Sequence, residues 1–310
     1  MILLNVALII VGFVLLIKGA DFFVDGAVAV AQKVGVPQIV VGLTIVAFGT
    51  SAPEAAVSIK SALSGSAGIA IGNVLGSNIM NVCVILGLTA CVVKLSIDAD
   101  AIKIDIPFLI VVSILLPILG FSFGEFHWIT GCIFWALLIG YIVFLIRKAI
   151  KTEVEEDEEA KNLGPIMILL FLIGGMAAIV IGSSLAVDGA KAIALSFGVS
   201  DRVIGLTIIA FGTSLPELMT SLTAARKGNA DIAVGNIVGS NLFNILFILG
   251  TTSLIHPVPF GMEYLIDALL AIGAVVLLWL FTCKNRVLER KHGIVYLLVY
   301  AIYLAYLLMK

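Results

Sequence analysis

The sequence predicts an all-α membrane protein whose ten transmembrane helices form two inverted repeats of five helices. Three features lead to this prediction: the composition, the length of the apolar segments and an internal repeat. Hydrophobic residues make up 61% of the 310 residues and charged residues only 12%, which leaves too few polar side chains to cover a soluble globule. The net charge of −2 also argues against nucleic acid as a partner, since that needs a clustered basic surface.

Ten apolar segments are suited to cross a hydrocarbon core of about 30 Å as helices. They lie near residues 1–20, 38–63, 67–93, 105–120, 127–146, 165–186, 202–225, 230–254, 264–282 and 294–309. The first segment has no basic stretch before it and no small-residue cleavage pattern after it. We therefore expect it to be a retained span and not a removed signal.

One long polar stretch, residues 147–164, divides these segments into two groups of five. We predict a first five-helix repeat at residues 1–146, an acidic linker at 147–164 and a second five-helix repeat at 165–310. The acidic run within the linker favours a solvated connection, and a cation-attracting or regulatory segment is the alternative.

The distribution of Lys and Arg predicts the orientation of the chain, because cytoplasmic loops hold an excess of both. If the N-terminus lies outside, fourteen of the eighteen Lys and Arg residues fall on the cytoplasmic side. The four exceptions are Lys60, Lys191, Arg202 and Lys310. We therefore expect a multi-pass protein of the cell membrane with both termini outside and the linker in the cytoplasm.

The internal repeat relates two motifs, residues 42–81 and 205–244. GLTIVAFGTSAPEAAVSI at 42–59 and GLTIIAFGTSLPELMTSL at 205–222 are identical at twelve of eighteen positions. The same offset of 163 relates GNVLGSNIMN to GNIVGSNLFN at the end of each motif, and a register kept without a gap indicates a duplication. Because five spans separate each residue from its copy, the copies cross the membrane in opposite directions. This pattern is typical of secondary transporters, although a channel can also be pseudo-symmetric.

Glu54 and Glu217 are carboxylates in the middle of predicted spans, at equivalent positions of the two motifs. An ionised carboxylate at such a depth costs roughly 2.5 to 3.5 kcal/mol unless it faces water or a partner. Neither glutamate has a Lys or Arg at comparable depth in the sequence. We favour a bound cation as the partner of both, and a protonated, hydrogen-bonded glutamate is the alternative.

Oxygen-bearing side chains recur around both glutamates. Thr50 and Thr213 precede them by four residues and so share their helix face. The next helix of each half has a polar stripe at intervals of four: Asn73, Ser77 and Asn81, repeated as Asn236, Ser240 and Asn244. An all-oxygen set suits Na⁺ and Ca²⁺ better than zinc or copper, while helix packing is the alternative role of these side chains.

Pro53 and Pro216 predict a break in the helix before each glutamate. A proline within a helix lacks an N–H and frees the carbonyl four residues earlier, here that of Gly49 or Gly212. Such backbone is tolerated in a membrane only where something satisfies it. We therefore expect broken helices whose carbonyls join an ion shell.

The GTSAPE and GTSLPE segments, each followed by GN..GSN..N, resemble the alpha repeats of the sodium/calcium exchanger family. This resemblance implies that Ca²⁺ is bound by Glu54 and Glu217 with Thr50 and Thr213. It also implies that Na⁺ uses the same carboxylates with further ligands: the hydroxyls of Ser51, Ser214, Ser77 and Ser240 and the carbonyls of Ala47 and Ala210. Asn81 and Asn244 complete the cluster, and the first and sixth helices slide to expose it to each side in turn.

The expected function is therefore an antiport of Na⁺ and Ca²⁺, with both ions as transported substrates. We expect no cofactor, no enzymatic activity and no obligatory protein partner. Some K⁺-dependent relatives have Asp where this chain has Asn244, so we expect exchange without K⁺. We expect it to be electrogenic, because the resemblance implies three Na⁺ for one Ca²⁺ and two carboxylates balance only two Na⁺. A Ca²⁺/H⁺ antiporter is the nearest alternative, because two buried glutamates could titrate, and a cation channel is a more distant one. An intramembrane enzyme is disfavoured because His127, His256 and His292 lie at span ends or in loops.

Three further acids stand outside this cluster. Asp25 and Asp188 recur near the ends of the first and sixth helices, where a charge in water is the favoured interpretation and ion entry the alternative. Asp267 has no repeat partner at the offset of 163.

Overall fold

The structure, a computed structural model, describes residues 2–65, 67–151, 163–198 and 210–309. Most of these residues are helical. The described helical runs are α1 (Ile2–Val34), α2 (Gln38–Thr50), α3 (Ala52–Leu63), α4 (Gly68–Val92), α5 (Ala101–Phe123), α6 (Trp128–Ile150), α7 (Pro165–Ser196), α8 (Ala210–Thr213), α9 (Leu215–Arg226), α10 (Ala230–Ile255), α11 (Met262–Thr282) and α12 (Arg290–Met309). Most of the predicted linker, residues 152–162, lies outside the described residues.

The predicted fold class is confirmed, since the described chain is nearly all helical and has apolar spans. Among the described residues, eight helices are each long and apolar enough to cross a membrane, and the bent pair α2 and α3 adds a ninth if it is counted as one span. The described part of the chain therefore does not reach the predicted count of ten. The seventh predicted span, residues 202–225, is described only from Ala210 onward, so its first part lies outside the described residues.

The predicted break in the second span is present. Helix α2 ends at Thr50, α3 begins at Ala52, and the two axes meet at 49°. Pro53 lies in the first turn of α3, where its missing N–H leaves no helical hydrogen bond unmade. The second half has the same arrangement, with Pro216 in the first turn of α9.

Helices α1 and α7 pack against each other in opposite directions through glycine. A Cβ atom added to Gly12 would lie 2.6 Å from the carbonyl oxygen of Gly182, and one added to Gly19 would lie 2.8 Å from that of Gly175. Gly175 and Gly182 follow Gly12 and Gly19 by 163 residues, so each glycine meets the copy of the other. This is the contact expected between two copies that cross the membrane in opposite directions.

Two short strand pairs also join the halves. Strand β1 (Leu95–Ser96) pairs with β4 (Val287–Leu288), and β2 (Glu125–Phe126) pairs with β3 (Val258–Pro259), both antiparallel. Strand β3 follows β1 by 163 residues, whereas β4 follows β2 by 162. The repeat therefore loses one residue between β3 and β4.

Helices α4 and α10 form the centre of the molecule. Over four fifths of the apolar stretch of each is buried, against one third or less for the other spanning helices. The outer helices expose large apolar side chains such as Leu3, Ile150 and Ile302, which suits a lipid environment. The two central helices carry the polar stripes predicted from the sequence.

Candidate cation site

The two breaks place the first turns of α3 and α9 inside the protein. Glu54 and Glu217 lie in these turns, and each residue is 1% exposed. The N-terminus of a helix has a partial positive charge, which favours a carboxylate there. The sequence folds in this way because proline is readily accommodated one residue before each glutamate, at the beginning of a helix.

Each glutamate faces hydroxyl groups from the opposite half. The Ser51 hydroxyl donates to Oε1 of Glu217 at 3.1 Å, and the Thr50 hydroxyl also approaches this carboxylate. The Thr213 hydroxyl approaches Glu54, and the charge of Glu217 acts electrostatically on the Glu54 carboxylate. The two glutamates therefore share one site, to which both halves contribute.

Asn73 and Asn236 hold the first turns of α3 and α9 against the central helices. The Asn73 amide donates to the carbonyl of Glu54 at 3.2 Å, and the Asn236 amide donates to that of Glu217 at 3.4 Å. Each amide also donates to a serine one turn further along, at 2.9 Å. The amide nitrogens of these two stripe residues thus position the backbone of the glutamates. Oδ1 of Asn236 accepts a bond from the Thr50 hydroxyl at 3.0 Å.

The other predicted site residues of the central helices are also buried. Ser77 is 6% exposed and Ser240 is fully buried, with its Oγ atom 3.5 Å from that of Thr50. Asn81 and Asn244, each 1% exposed, begin the π-helical segments Asn81–Leu86 and Asn244–Leu249. Such local widening of a helix is frequent at functional sites, and the sequence has no pattern that predicts it.

The two predicted carbonyl ligands belong to the last turns before the breaks. The Ala47 carbonyl accepts bonds from the Ser51 amide at 3.1 Å and the Thr50 hydroxyl at 3.4 Å. Ala210 begins α8, and its side chain is outside the description.

Several buried oxygen atoms of the site have no hydrogen-bond partner in the described part of the chain. They are Oε1 and Oε2 of Glu54, Oε2 of Glu217, Oδ1 of Asn81, Oδ1 of Asn244 and Oγ of Ser214. All of these atoms can accept, and the ion pairs between described residues include neither glutamate. Buried acceptors without donors cost about 1 to 3 kcal/mol each, so the arrangement suits a dehydrated hard cation.

One carbonyl freed by proline has a protein partner. The Ser183 hydroxyl on α7 donates to the Gly212 carbonyl at 2.7 Å. This bond satisfies one of the two lone pairs of the carbonyl oxygen, and its place in an ion shell stays a prediction. The residue equivalent to Ser183 in the first half is Ala20, which has no hydroxyl, so the repeat does not predict this bond.

Asp267 does have a repeat partner, Asp105, which precedes it by 162 residues and not by 163. The Tyr303 hydroxyl donates to Oδ1 of Asp267 at 2.9 Å, and the Tyr141 hydroxyl donates to Oδ1 of Asp105 at 2.8 Å. The two pairs are related by an offset of 162, as expected after the loss of one residue beyond β3. The sequence does contain a pattern that relates the two pairs, because the spacing from Asp to Tyr is the same in both halves.

Asp25 forms an ion pair that is partly open to solvent, and its two interpretations, a charge in water or a role in ion entry, stay predictions. Lys227, directly after α9, places Nζ 2.8 Å from Oδ1 of Asp25 and 3.4 Å from Oδ1 of Asp21. The position equivalent to Lys227 in the first half is Ser64, so the Asp188 side of the repeat lacks this lysine.

Inverted halves that enclose a buried, oxygen-lined site define the class of secondary transporters. Within that class, the chain belongs to the sodium/calcium exchanger family. The family model described as "Sodium/calcium exchanger protein" matches residues 4–147 and 167–309.

Full-length relatives and solved structures agree with this assignment. The chain is 37% identical over 309 residues to the uncharacterized membrane protein MJ0091 of Methanocaldococcus jannaschii, covering 100% of both chains. It is 32% identical to the sodium/calcium exchanger MaX1 of Methanosarcina acetivorans, covering 99% of both. A solved structure of the sodium-calcium exchanger NCX_Mj matches with a TM-score of 0.87 and 35% identity, covering 98% of this chain and 99% of that one.

Proposed function

We propose that this protein exchanges Na⁺ for Ca²⁺ across the cell membrane by alternating access. The observation that supports this function best is the shared site of Glu54 and Glu217, two buried carboxylates approached by hydroxyls of the opposite half. The names of MaX1 and NCX_Mj, both sodium/calcium exchangers, agree with this choice of ions.

In this proposal Ca²⁺ is bound by Glu54, Glu217, Thr50 and Thr213. Na⁺ uses the same carboxylates with a wider set of oxygens: Ser51, Ser214, Ser77, Ser240, the carbonyls of Ala47 and Ala210, Asn81 and Asn244. The two ions compete because they share both carboxylates. A doubly negative empty site crosses the membrane barrier poorly, whereas an occupied site is nearly neutral, so competition results in exchange.

The charge of the site makes the exchange electrogenic if three Na⁺ bind. Two carboxylates balance one Ca²⁺ or two Na⁺, and a third Na⁺ leaves the loaded site with one positive charge. Each cycle then moves net charge across the membrane. Asn244 is neutral, which leaves two carboxylates in the site and argues against K⁺ as a co-substrate.

The proposed orientation places both termini outside the cell and the linker at residues 147–164 in the cytoplasm. It rests on the distribution of Lys and Arg, of which fourteen of eighteen then face the cytoplasm. Single cysteines introduced into the linker test this orientation when they are labelled in intact cells. They should react with a membrane-impermeant maleimide only after the membrane is opened.

Isotopic Ca²⁺ uptake into proteoliposomes, with Na⁺, K⁺ and pH gradients imposed separately, tests the function. An outward Na⁺ gradient should drive uptake equally well when choline replaces K⁺. An inside-positive potential should accelerate uptake, because three Na⁺ leave for each Ca²⁺ that enters. Uptake driven by a pH gradient without Na⁺ would instead identify a Ca²⁺/H⁺ antiporter, and steady unitary currents without a counter-ion would identify a channel.

A further inference from the structure

Four asparagines are linked by hydrogen bonds where α4 and α10 meet. Asn78 and Asn241 each donate from the side-chain amide to the other's backbone carbonyl, at 3.2 and 3.3 Å. The Asn81 amide donates to Oδ1 of Asn241, and the Asn244 amide donates to Oδ1 of Asn78, both at 3.0 Å. All four residues are at most 3% exposed, and we call them the asparagine ring.

The two backbone carbonyls determine the orientation of every side chain in the ring. A carbonyl can only accept, so the atom of Asn241 that faces the Asn78 carbonyl must be Nδ2. Oδ1 of Asn241 therefore faces Asn81, which must donate to it through its own Nδ2. The same reasoning from the Asn241 carbonyl fixes Asn78 and then Asn244. The orientations follow from this network and do not depend on how the amide atoms were assigned.

This orientation leaves Oδ1 of Asn81 and Oδ1 of Asn244 directed away from the ring. Both atoms are buried and have no hydrogen-bond partner among the described residues. An amide turned by half a rotation would present two N–H groups in place of its oxygen, which would repel a cation. Asn81 thus presents its oxygen to a cation only while its Nδ2 atom donates to Asn241, and Asn244 only while its Nδ2 atom donates to Asn78.

We propose that Asn78 and Asn241 are positioning residues that select the oxygen-presenting orientation of Asn81 and Asn244 for the transported ions. This inference rests on the proposed function, because it takes Asn81 and Asn244 as ion ligands. The ring is positioned for this role by the repeat, since the inverted halves bring equivalent helices face to face. The competing explanation is that the ring only holds α4 and α10 together.

The test is the half-saturating Na⁺ concentration, measured for Na⁺-driven Ca²⁺ uptake and for equilibrium Na⁺ binding, in the Asn78→Ala and Asn241→Ala variants. We expect an increase of about tenfold for each variant, the size of one lost polar contact to a charged group. Thr89→Val and Thr252→Val are matched controls, because these fully buried threonines of α4 and α10 bond, within the described chain, only to carbonyls of their own helix. The controls should stay within about twofold, below the effect of one such contact.

A double variant separates positioning from packing. If Asn241 acts on the ions through Asn81, then the double variant Asn81→Ala with Asn241→Ala should bind Na⁺ no more weakly than Asn81→Ala alone. A further loss in the double variant, or wild-type affinity in both ring variants, would overturn the proposal. A different result would reject the proposed function itself, namely ion exchange that persists in Glu54→Gln.

Folding is checked by gel filtration and thermal unfolding in detergent. Asn78→Ser and Asn241→Ser decide the matter if the alanine variants do not fold, because serine leaves a polar group in the space but cannot reach both partners. They should show the same loss of affinity with a normal elution profile. Loss of folding in the serine variants as well would assign the ring a structural role and reject the proposal.

Discussion

Ser51, at the break between α2 and α3, donates its hydroxyl to Oε1 of Glu217 across the boundary between the two halves, at 3.1 Å. Its copy Ser214 has no such bond, and its Oγ atom is buried without a partner in the described chain. The two serines therefore differ in surroundings despite their equivalent positions in the repeat.

We predict that Ser51→Ala destabilises the protein more than Ser214→Ala does. The first variant removes a hydrogen bond to a charged group, which contributes about 1.5 to 3 kcal/mol, whereas the second removes a hydroxyl without a bond. Thermal unfolding of both variants in buffer without Na⁺ and Ca²⁺ checks this. Equal melting temperatures would contradict the asymmetry.

Glu54→Gln and Glu217→Gln should each abolish Na⁺-driven Ca²⁺ uptake while the protein still folds. Glutamine keeps the volume of the side chain but removes one of the two charges that balance Ca²⁺, a loss of several kcal/mol in a buried site. Uptake should fall by at least about a hundredfold, the equivalent of roughly 2.8 kcal/mol. Glu125→Gln, at an exposed position in β2, is the control and should transport normally.

The fold and the pairing of the two glutamates could be predicted because both depend on regular patterns. Apolar length predicts the spans, and an odd number of spans between copies inverts them. Prolines beside Glu54 and Glu217 predict breaks at matching depth, and inversion then brings the breaks together. None of these steps requires knowledge of a side-chain contact.

The remaining features depend on contacts that no local pattern reveals. The bond from Ser183 to the Gly212 carbonyl exists in one half only, so the repeat could not predict it. The Asp105 and Asp267 pairs were hidden by the loss of one residue between the strands. Asn78 and Asn241 belong to the repeated motif, but their role depends on which atoms face each other across the interface of α4 and α10.

Tyr141→Phe should destabilise the protein more than Tyr303→Phe. Asp105 is fully buried, and its Oδ2 atom already has no hydrogen-bond partner in the described residues. Loss of the tyrosine bond to Oδ1 therefore leaves both oxygens of a buried carboxyl group without a hydrogen bond. The expected cost is about 1 to 3 kcal/mol. Asp267 is only partly buried, so its carboxyl group is less desolvated and loses less when the tyrosine bond is removed. Melting temperatures of the two variants in detergent check this order, and the reverse order would contradict it.

The ion pair of Lys227 with Asp25 should contribute little to stability and should depend on salt. The two side chains are 30% and 20% exposed, and pairs with this much access to solvent are worth about 0.2 to 1 kcal/mol. A double-mutant cycle with Lys227→Met and Asp25→Asn measures this coupling by thermal unfolding. It should decrease in about 1 M salt, where screening acts over about 3 Å. A coupling above about 2 kcal/mol, or one unaffected by salt, would show that the pair is shielded from water.

The contact between α1 and α7 predicts opposite effects for two adjacent glycines. A Cβ atom added to Gly175 would lie 2.7 Å from the backbone nitrogen of Phe23 and 2.8 Å from the carbonyl oxygen of Gly19, whereas one added to Gly174 would have no atom within 4 Å. Because the obstructing atoms are backbone, Gly175→Ala forces the helices apart, at a cost of about 1 to 3 kcal/mol. Gly174→Ala meets open space and should be neutral or stabilising by up to about 1 kcal/mol, since alanine is the better helix former. Thermal unfolding of the two variants provides the comparison, with Gly174→Ala as the matched control one residue away in the same helix. If both unfold at the same temperature, α1 and α7 do not depend on glycine for their close approach.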